Sequence, residues 1–528
     1  MLIGLDCCGN LKKRFCDLFA TDQIRVQVEF SDNDRACYDE RTHRYTDEKY
    51  RISVRNAPEY TKVRLICSSE KSAFYGLSDL ERRIGAGNLE DADFECAPYF
   101  SLRGYIEGFY GTPWSSKARL SVLRTAAQEG MNAYFYAPKN DDYHRTKWRK
   151  PYPDSKLSEF KELIDTATGC YMELFWCFSP GLDIRYSDPK DLKALITKTE
   201  QLYNIGVTSF GLLLDDIPDT LSDPTDKERY GELVNAQIDL INRYHNALRA
   251  VDPAIRLAVC PTLYHGRGDE YYISKLGSRL PPEILLFWTG RDICSRDLTS
   301  DESRRFLEHT THRPLYWDNY PVNDEAMHFE MHLGPVINRD PDLWRYASGV
   351  IANCMPYPEA TKIPLITYAR YLWDGPAYDA ESAWRNAIRA VVGREDAAPF
   401  LLFADHLRQS HLRDKNSGIL LHTFSAAAEA SRAGEREKAS RIVEDYIAQM
   451  KAGLKLLSTD LPLFIEIAPW IEKYRQSCPT LEKLFKYLLT RDETLPDSIN
   501  KEICALNRIP EKLIIDNDLL EVIWGRYF

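Results

Sequence analysis

The sequence predicts an α/β protein built on a (β/α)8, or TIM, barrel, with a small N-terminal α+β domain and a C-terminal all-helical domain. Two observations predict the barrel. Short β-prone runs alternate with segments of helical spacing, and this alternation implies parallel strands joined by right-handed crossovers. Eight such runs lie between Gly104 and Met355, a span of about 250 residues, which is the usual size of such a barrel. We therefore expect domains over residues 1–97, 98–378 and 379–528.

The first hundred residues predict the small α+β domain. Ile24–Phe30 alternates apolar and polar residues, as a strand with one buried face does. Tyr50–Val54 and Lys62–Cys67 are further strand candidates, and Ser72–Ile84 has helical spacing. The segment Gly85–Pro98 is rich in glycine and acidic residues, and we expect it to be a connection.

The next part of the chain supplies the barrel strands. A doubly wound open sheet is the alternative, but no GxGxxG loop follows the first predicted strand. Helix-patterned segments such as Ser115–Glu129 separate most of the strands. The predicted strands are Tyr105–Tyr110, Ala133–Ala137, Met172–Phe178, Ser209–Leu214, Arg256–Cys260, Ile284–Trp288, Leu315–Trp317 and Gly349–Ala352.

From about residue 380 the pattern is helical to the end of the sequence. Ala426–Leu457 carries apolar residues three and four apart among alanine and charged residues, and Pro462, Pro469 and Pro479 interrupt the segment after it. This pattern predicts a C-terminal helical bundle or stalk. Its long helices offer a surface through which a homodimer could form.

Composition and charge narrow the range of partners. Of the 528 residues, 44% are hydrophobic and 28% charged, which excludes a disordered or collagen-like protein. The formal net charge of −11 does not match nucleic acid or an anionic membrane. No apolar run approaches the roughly 20 residues that span a bilayer, and Asp6 interrupts the N-terminus before a signal-peptide core forms. We expect no nucleic-acid or membrane partner and a cytoplasmic location, or secretion if an export signal was removed.

The sequence predicts neither a metal site nor a cofactor. The thirteen cysteines are scattered without a CxxC pair, which indicates reduced thiols rather than a disulfide framework. His328 and His332 form an HxxxH pair that would share a helix face if Glu325–Leu333 were helical. The acid of the zinc signature HExxH is misplaced between them, so we expect ordinary surface or packed histidines.

Polar and aromatic residues follow the predicted strands. In a (β/α)8 barrel the active site lies at the C-terminal ends of the strands. Carboxylates, an amine, phenols, amides and an indole are therefore expected to meet on one rim, a set that suits a polyhydroxylated neutral ligand such as a sugar. The residues at or after these strand ends include Glu107, Gly108, Tyr110, Lys139, Asn140, Asp141, Asp215, Asp216, Tyr264, Trp317, Asp318, Asn319, Asp324 and Asn353.

The adjacent acids Asp215 and Asp216 follow the apolar run Phe210–Leu214. Considered alone, the pair fits metal binding, acid–base chemistry and helix capping about equally. Successive strand residues point to opposite faces, so both acids face a pocket only if the backbone turns at the strand end. Two carboxylates from one strand end do not easily flank a sugar from opposite sides, and they fit better a substrate that supplies its own nucleophile. Two adjacent carboxyls also disfavour the ionisation of both at once.

A basic and aromatic segment, Tyr143–Tyr152, follows the second barrel strand. Such interleaving also occurs in nucleic-acid-binding patches. In an acidic chain it predicts instead a barrel loop that shapes the rim of the site.

Six motifs together resemble glycoside hydrolase family 84, which contains the O-GlcNAcases and bacterial β-N-acetylglucosaminidases. They occur in the family's order and spacing over about residues 98–375, while the flanking regions resemble the family's bacterial architecture more loosely. The motifs are Arg103–Trp114, Tyr136–Lys139, Tyr143–Arg149, Ser179–Asp183, Leu213–Ile217 and Trp317–Asn319.

The resemblance implies a retaining exo-β-N-acetylglucosaminidase in which the substrate's acetamide forms an oxazoline intermediate. By position, Asp215 would orient the N-acetyl group, Asp216 would be the general acid and then the general base, and Tyr264 would assist near the acetamido oxygen. Mutual repulsion between the two carboxyls would then help keep Asp216 protonated near neutral pH. Asn140 departs from the family, which usually has an acid directly after the lysine. The implied sugar-binding residues are Gly108 through its backbone, Lys139, Trp317, Asn319, Asp324 and Asn353.

Other functions stay open at this level. They are a hyaluronidase-type glycosidase, a metal-dependent barrel enzyme with Asp215 and Asp216 as ligands, and a non-catalytic GlcNAc-binding protein. The expected partner is a glycoprotein or glycan that bears β-linked GlcNAc. The sequence does not distinguish protein, mucin, chitooligosaccharide and hyaluronan ends as the natural aglycone.

Overall fold

The fold class predicted from the sequence is confirmed by the computed structural model, which describes residues 11, 14–15, 24–31, 47–85, 87, 89–413 and 417–513. A small sheet and helix precede a closed parallel barrel, and helices follow it. The described residues divide into two compact units. The first comprises those of Met1–Asn319, Asn338–Asn353 and Tyr368–Tyr378, and the second those of Tyr320–Ile337, Cys354–Thr367 and Asp379–Phe528.

The first unit begins with a four-stranded sheet in the order β1-β3-β2-β4. β1 runs parallel to β3, whereas β2 pairs antiparallel with both β3 and β4. Helix α1 covers one face, and its first turn is closed by hydrogen bonds between Ser69 and Ser72. The elements are β1 (Ile24–Phe30), β2 (Tyr50–Asn56), β3 (Thr61–Cys67), α1 (Glu70–Gly85) and β4 (Ala92–Cys96).

The predicted connection over Gly85–Pro98 is wrong in its second half, because β4 lies there. Ile52 of β2 faces Phe94 across this antiparallel pair. The acidic residues of β4 point to solvent and pair with basic residues of β2, as Arg51 does with Glu95. The strand therefore depends on its neighbour, and its own composition resembles that of a loop.

Residues 102–353, all of them described, contain a closed barrel of eight parallel strands in sequence order. The first strand starts three residues earlier than predicted, because its pairing with the last strand begins at Leu102 and Gly349. The strands are β5 (Leu102–Glu107), β6 (Ala133–Tyr136), β7 (Glu173–Phe178), β8 (Ser209–Leu213), β9 (Arg256–Cys260), β10 (Leu285–Trp288), β11 (Pro314–Asp318) and β12 (Gly349–Asn353).

Helices separate most of the barrel strands. Side-chain oxygens cap several of them at the N-terminus, as Ser115 does for α2 and Asp188 for α4. The helices are α2 (Ser116–Gln128), α3 (Asp154–Gly169), α4 (Pro189–Tyr203), α5 (Pro224–Tyr230), α6 (Leu233–Val251), α7 (Tyr271–Gly277) and α8 (Ser300–Thr310).

Apolar side chains fill the barrel interior. Phe135 stacks on Phe175 of the next strand with ring centroids 4.2 Å apart, and Phe287 meets Phe135 edge to face at 5.2 Å. Because side chains alternate along a strand, the neighbours of these residues point outward to the helices. The interior is a packed core, so polar chemistry is confined to the strand ends.

The second unit is helical, as predicted, and has its own core around Trp384, Phe424 and Phe485. Helix α9 (Pro358–Asp374) enters this unit with its first turns. The later helices are α10 (Ala380–Val392), α11 (Ala397–Ala404), α12 (Gly418–Arg432), α13 (Arg436–Leu456), α14 (Pro462–Glu466), α15 (Ala468–Thr490) and α16 (Pro496–Leu506).

Two details of the second unit differ from the sequence prediction. The helical pattern over Ala426–Leu457 is broken at Gly434, whose φ of 78° ends one helix before the next begins. Pro479 does not end a helix but lies inside α15, where buried neighbours such as Tyr474 and Leu481 hold the helix in the core.

The histidine pair and the cysteines have ordinary structural surroundings where the structure describes them. Glu325–Met327 is a short 3-10 turn, so His328 and His332 do not share an α-helix. His332 is buried, with Nδ1 3.0 Å from the carbonyl oxygens of Pro321 and Val322. The cysteines in the described residues are free thiols, while Cys7, Cys8, Cys16 and Cys37 lie outside them.

Candidate active site

The two adjacent acids meet the same lysine at the C-terminal end of the barrel. Asp215 and Asp216 follow β8, and Asp216 has a φ of 54°, in the left-handed region that non-glycine residues rarely adopt. This is the backbone turn that the alternation argument requires. Lys139, after β6, donates from Nζ to Asp215 Oδ2 and lies 3.3 Å from Asp216 Oδ2.

The two carboxylates differ in exposure. The side chain of Asp215 is 6% exposed, whereas that of Asp216 is 30% exposed. Asp216 accepts a hydrogen bond from the Tyr110 hydroxyl at Oδ2 (2.8 Å) and another from the Tyr264 hydroxyl at Oδ1 (2.9 Å). An exposed carboxylate beside a buried one allows proton exchange at the first and ligand binding at the second.

Burial would raise the pKa of Asp216, but the ammonium of Lys139 and the hydroxyls of Tyr110 and Tyr264 outweigh it and lower the pKa below its ordinary value. Burial likewise opposes the charge of Lys139, yet the two carboxylates raise its pKa. The expectation that mutual repulsion keeps Asp216 protonated is therefore wrong for the unliganded site. The lysine between the acids supplies the charge that compensates them.

The two carboxylate oxygens of Asp215 differ, because Oδ2 accepts from Lys139 and Oδ1 has no donor among the described residues. Oδ1 is buried and has no hydrogen-bond partner among the described residues. A buried acceptor without a donor costs about 1–3 kcal/mol. A ligand N–H group bonded to this oxygen would remove that cost.

A second group of site residues forms a hydrogen-bonded chain beside the acids. The backbone N–H of Gly108 donates to Asn353 Oδ1 (3.2 Å), and Asn353 Nδ2 donates to Asn319 Oδ1 (2.9 Å). Trp317 Nε1 donates to the same oxygen of Asn319 at 2.9 Å. Lys139 Nζ lies 5.7 Å from the centre of the Trp317 ring, so the chain and the acids share one site.

Gly108 is required by close packing. A Cβ at this position would lie 2.5 Å from Cζ2 of Trp317 and 3.0 Å from Oδ1 of Asn353. The missing side chain therefore lets the indole and the amide approach the backbone at the end of β5.

The carboxylate of Glu107 does not reach the predicted rim. It is fully buried and accepts two hydrogen bonds from Arg119 (2.7 and 2.8 Å), one from the Trp114 backbone (3.0 Å) and one from the Tyr134 hydroxyl (2.8 Å). Ile106, its neighbour on β5, belongs to the barrel interior. Strand alternation thus directs Glu107 outward to the helices, where it supports the loop after β5.

The helix-capping interpretation of the two acids is wrong. The next helix, α5, begins at Pro224 and is capped by Asp223. No group of three or more metal-ligating side chains occurs in the part of the chain that the structure describes. The positive group that contacts both acids is the ammonium of Lys139.

The structure places eight of the nine predicted site residues in the first unit. Asp324 belongs to the second unit, where it precedes the 3-10 turn Glu325–Met327. Its role stays a prediction. Asn140 is exposed in the turn after β6, and its neighbour Asp141 holds the loop by accepting from the hydroxyls of Tyr136 (2.9 Å) and Tyr152 (3.2 Å).

Sequence reasoning missed Arg145 and gave Tyr110 no role of its own. Arg145 lies in the loop between β6 and α3, within the basic and aromatic segment that was expected to shape the rim. Its Nη1 donates to the Tyr110 hydroxyl at 2.9 Å. The position of both residues after barrel strands was the available signal, but their mutual contact depends on the fold.

The fold and this arrangement of acids, lysine, phenols and amides at the strand ends are typical of a barrel enzyme that acts on sugars. A family model described as β-N-acetylglucosaminidase matches residues 103–405, which is more than half of the chain. The chain therefore belongs to glycoside hydrolase family 84, and the resemblance seen in its motifs is confirmed.

Known relatives and solved structures agree with this assignment. The chain is 31% identical over 276 residues to the Protein O-GlcNAcase of Rattus norvegicus, and equally to that of Mus musculus. The match covers 51% of this chain but only 30% of those relatives. Among solved structures, a variant of the Thermobaculum terrenum O-GlcNAc hydrolase is 32% identical with a TM-score of 0.73, covering 81% of this chain and 94% of its own. CpGH84B is 26% identical with a TM-score of 0.79, covering 100% of this chain and 96% of its own.

Among the residues that the structure describes, no helix is both long enough and apolar enough to span a bilayer.

Proposed function

We propose that this protein is a retaining exo-β-N-acetylglucosaminidase that removes terminal β-linked GlcNAc from glycoproteins or glycans. The observation that carries the proposal is the pair of acids held on one lysine. Both carboxylates lie on the same side of the site, so neither is placed opposite the other as the nucleophile of a two-carboxylate mechanism. A substrate acetamide that acts as the nucleophile needs no such residue.

The proposed reaction has two steps. The acetamido oxygen attacks the anomeric carbon while Asp216 gives its proton to the leaving oxygen, so the glycosidic bond breaks and an oxazoline forms. Asp216 then takes a proton from water, whose oxygen opens the oxazoline and restores the β configuration. A well-oriented intramolecular nucleophile is a large advantage, with effective molarities of about 10⁵ M or more.

Asp215 acts on the attack step in this proposal. Its buried Oδ1, which has no partner among the described residues, accepts a hydrogen bond from the acetamide N–H. This N–H becomes more acidic as the acetamido oxygen attacks, so the carboxylate stabilises charge that grows in the transition state. Tyr264 assists near the acetamido oxygen, and Trp317 lines the space for the acetyl methyl group.

The remaining predicted residues bind the sugar hydroxyls and the acetamido group. They are the backbone of Gly108, Lys139, Asn319, Asp324 and Asn353. Binding also changes Asp216, because a substrate that covers its exposed side chain removes water and raises its pKa. The bound state thereby favours the protonated acid that the first step needs.

A polypeptide is the aglycone that the rim favours. Leu182, Leu263 and Ile293 are 49%, 43% and 48% exposed on loops that follow barrel strands. Leu263 precedes Tyr264, and the carbonyl of Ile293 accepts a hydrogen bond from Asn319 Nδ2 at 2.7 Å. Exposed apolar side chains beside a polar site suit the side chains of a polypeptide better than a further sugar. Faster release of GlcNAc from a glycopeptide than from chitobiose supports this choice, and the reverse order contradicts it.

The function is tested with aryl β-GlcNAc, aryl β-GalNAc and aryl β-glucoside, with NMR of the anomer formed first. We expect turnover of the GlcNAc substrate, none of the glucoside, which has no acetamide, and the β anomer first. Appearance of the α anomer first would refute the mechanism. Loss of activity in EDTA would favour the metal-dependent alternative, and internal cleavage of hyaluronan would favour an endo-acting hyaluronidase.

Homodimer formation through the long C-terminal helices is also part of the proposal. Helices α13 and α15 are the elements expected to pair. Light scattering on the full chain measures the mass directly, and a monomer at micromolar concentration contradicts this part.

A further inference from the structure

Arg145 contacts both the side-chain partner and the backbone of Asp216. Its Nη1 donates to the Tyr110 hydroxyl at 2.9 Å, and its Nη2 lies 3.3 Å from the carbonyl oxygen of Asp216. The Tyr110 hydroxyl lies 2.8 Å from Asp216 Oδ2. Three residues from three different loops thus form one connected chain.

The chemistry of the guanidinium fixes the direction of this chain. Arginine carries only hydrogen-bond donors and stays protonated in proteins. The Tyr110 oxygen must therefore accept from Arg145, and its single proton is left for Asp216. Burial raises the pKa of Tyr110, so the phenol keeps this proton.

We propose that Arg145 is a positioning residue that acts through Tyr110, and that Arg145–Tyr110–Asp216 is a directed relay holding the carboxylate form of Asp216. The inference rests on the proposed acid–base role of Asp216. The ionised carboxylate is the form that takes a proton from water in the second step. A Tyr110 hydroxyl without Arg145 could turn its proton to solvent, and Asp216 would lose a donor.

Arg145 also fixes the backbone that aims the carboxylate. Asp216 is in the left-handed region, and the guanidinium bonds the carbonyl of this same residue. One side chain therefore holds the turn and orients the phenol that contacts the carboxylate. The side chains of Asn140 and Lys147 in the same loop are exposed, whereas that of Arg145 is half-buried.

Several groups besides the relay face Asp216 and set its protonation. Lys139 and Tyr264 favour the charged form, while the neighbouring carboxylate of Asp215 opposes it. Cys260, at the end of β9, is buried, and burial raises the pKa of its thiol well above the usual range, so it stays neutral. Tyr110 is the member of the relay that can be removed without changing a formal charge in contact with Asp216, so Tyr110→Phe is the cleaner of the two single variants.

The test compares Tyr110→Phe, Arg145→Met and the double variant by the pH dependence of kcat/KM on an aryl β-GlcNAc with a poor leaving group. The general acid is active when protonated, so activity falls as the pH rises through the pKa of Asp216. Loss of the relay raises this pKa, and we expect the descending limb to move to higher pH in both single variants. On an activated aryl β-GlcNAc, for which the second step contributes more to the rate, kcat should fall about tenfold, a modest part of an acid–base contribution.

The double variant and Arg145→Lys distinguish a positioning role of Arg145 from a purely structural one. If Arg145 acts through Tyr110, the double variant moves the limb no further than Tyr110→Phe does. Arg145→Lys should restore part of the shift, since one ammonium can reach the phenol or the carbonyl but not both. Tyr271→Phe removes an exposed phenol that bonds Glu232 at 2.9 Å and should leave the profile unchanged.

A direct titration keeps this inference separate from the proposed function. The ¹³C shift of the Asp216 carboxyl, assigned with Asp216→Asn, reports its protonation without turnover. Absence of wild-type activity would refute the proposed function and leave this measurement valid. The relay would be overturned if the shifts of the descending limb in the two single variants added up in the double variant. An unchanged titration of Asp216 in Tyr110→Phe would overturn it as well. If Arg145→Met does not fold, Arg145→Lys and Tyr110→Phe decide the question.

Discussion

At the scale of single residues, the site depends on one backbone conformation. In an extended strand Asp215 and Asp216 would point to opposite faces. The φ of 54° at Asp216 brings both carboxylates to Lys139. The strained turn gives two adjacent residues different exposures, and that difference allows them different chemical roles.

These roles predict different responses to removal of each acid. Asp216→Ala should lose far more activity on substrates with poor leaving groups, because only those need a proton at the leaving oxygen. Asp215→Ala should slow activated and unactivated substrates alike, since it acts on the attack step. Rates on a series of aryl β-GlcNAc substrates measure both dependences. Equal slopes for the two variants would show that the division of roles is wrong.

Gly108 offers a second test at this scale. A Cβ would press on the Trp317 indole, so Gly108→Ala should displace the ring and lower kcat/KM about 10- to 100-fold, as small misplacements in a site do. Thermal unfolding should change little by comparison. Gly85→Ala, where no atom of the described residues lies within 4 Å of the added carbon, is the control. Unchanged kinetics in Gly108→Ala would mean that the indole position is unimportant.

At the scale of elements, helix ends are closed by groups distant in sequence. In the second unit, Glu466 Oε2 accepts hydrogen bonds from the backbone N–H groups of Glu359 (2.8 Å) and Ala360 (3.1 Å), in the first turn of α9. Burial raises the pKa of Glu466 from 4.5 to about 7, and the nearby Glu359 adds to this effect. The cap is therefore sensitive to pH.

The sign of this sensitivity depends on the raised pKa. Between pH 4.5 and about 7 the folded chain keeps a proton that the unfolded chain has released. The free energy that this bound proton contributes to the folded state is fully present below that range and is lost as the pH rises through it. Glu466→Gln keeps an acceptor for α9 without titrating. We expect the variant to be more stable than wild type at pH 8 by about 1–2 kcal/mol, after allowance for solvent screening.

Thermal unfolding at pH 5 and pH 8 measures this difference. The gap between Glu466→Gln and wild type should grow with pH. Glu437→Gln, at an exposed glutamate in the first turn of α13, is the matched control. The same gap at both pH values would contradict the assignment to Glu466.

At the scale of the whole molecule, the barrel closes only if its first and last strands meet. β5 and β12 pair in register from Leu102 and Gly349 onward. At Gly349 an added Cβ would overlap the carbonyl oxygen of Leu102, and at Gly104 it would lie 2.6 Å from the carbonyl oxygen of Ala133. Gly349 therefore lets β12 approach β5 where the barrel closes, and Gly104 lets β5 approach β6.

Gly349→Ala should therefore destabilise the barrel by about 1–3 kcal/mol, because the backbone of β5 cannot move aside as a flexible side chain would. Gly169→Ala, at the end of α3, where none of the described residues comes within 4 Å of the added carbon, should stay within about 0.5 kcal/mol of wild type. Denaturant unfolding compares the two. Equal midpoints would show that closure tolerates the extra atom.

Much of the fold could be predicted from sequence because its signals are local. All eight barrel strands were located within a few residues, since apolar runs and helical spacing depend on near neighbours. β4 was missed because its acidic strand is stabilised by β2 and not by its own composition. The break at Gly434 was missed because helical spacing continues on both sides of it.

The candidate site could likewise be predicted only in part. The alternation of strands and helices in the sequence shows which residues follow the barrel strands, and the family motifs single out the acids, the lysine and the amides among them. The folded chain is needed to see that Glu107 faces the helices, that Asp216 turns beside Asp215, and that Arg145 reaches Asp216 through Tyr110. Strand alternation and loop contacts between distant segments set these directions, and such contacts leave no periodic trace in the chain.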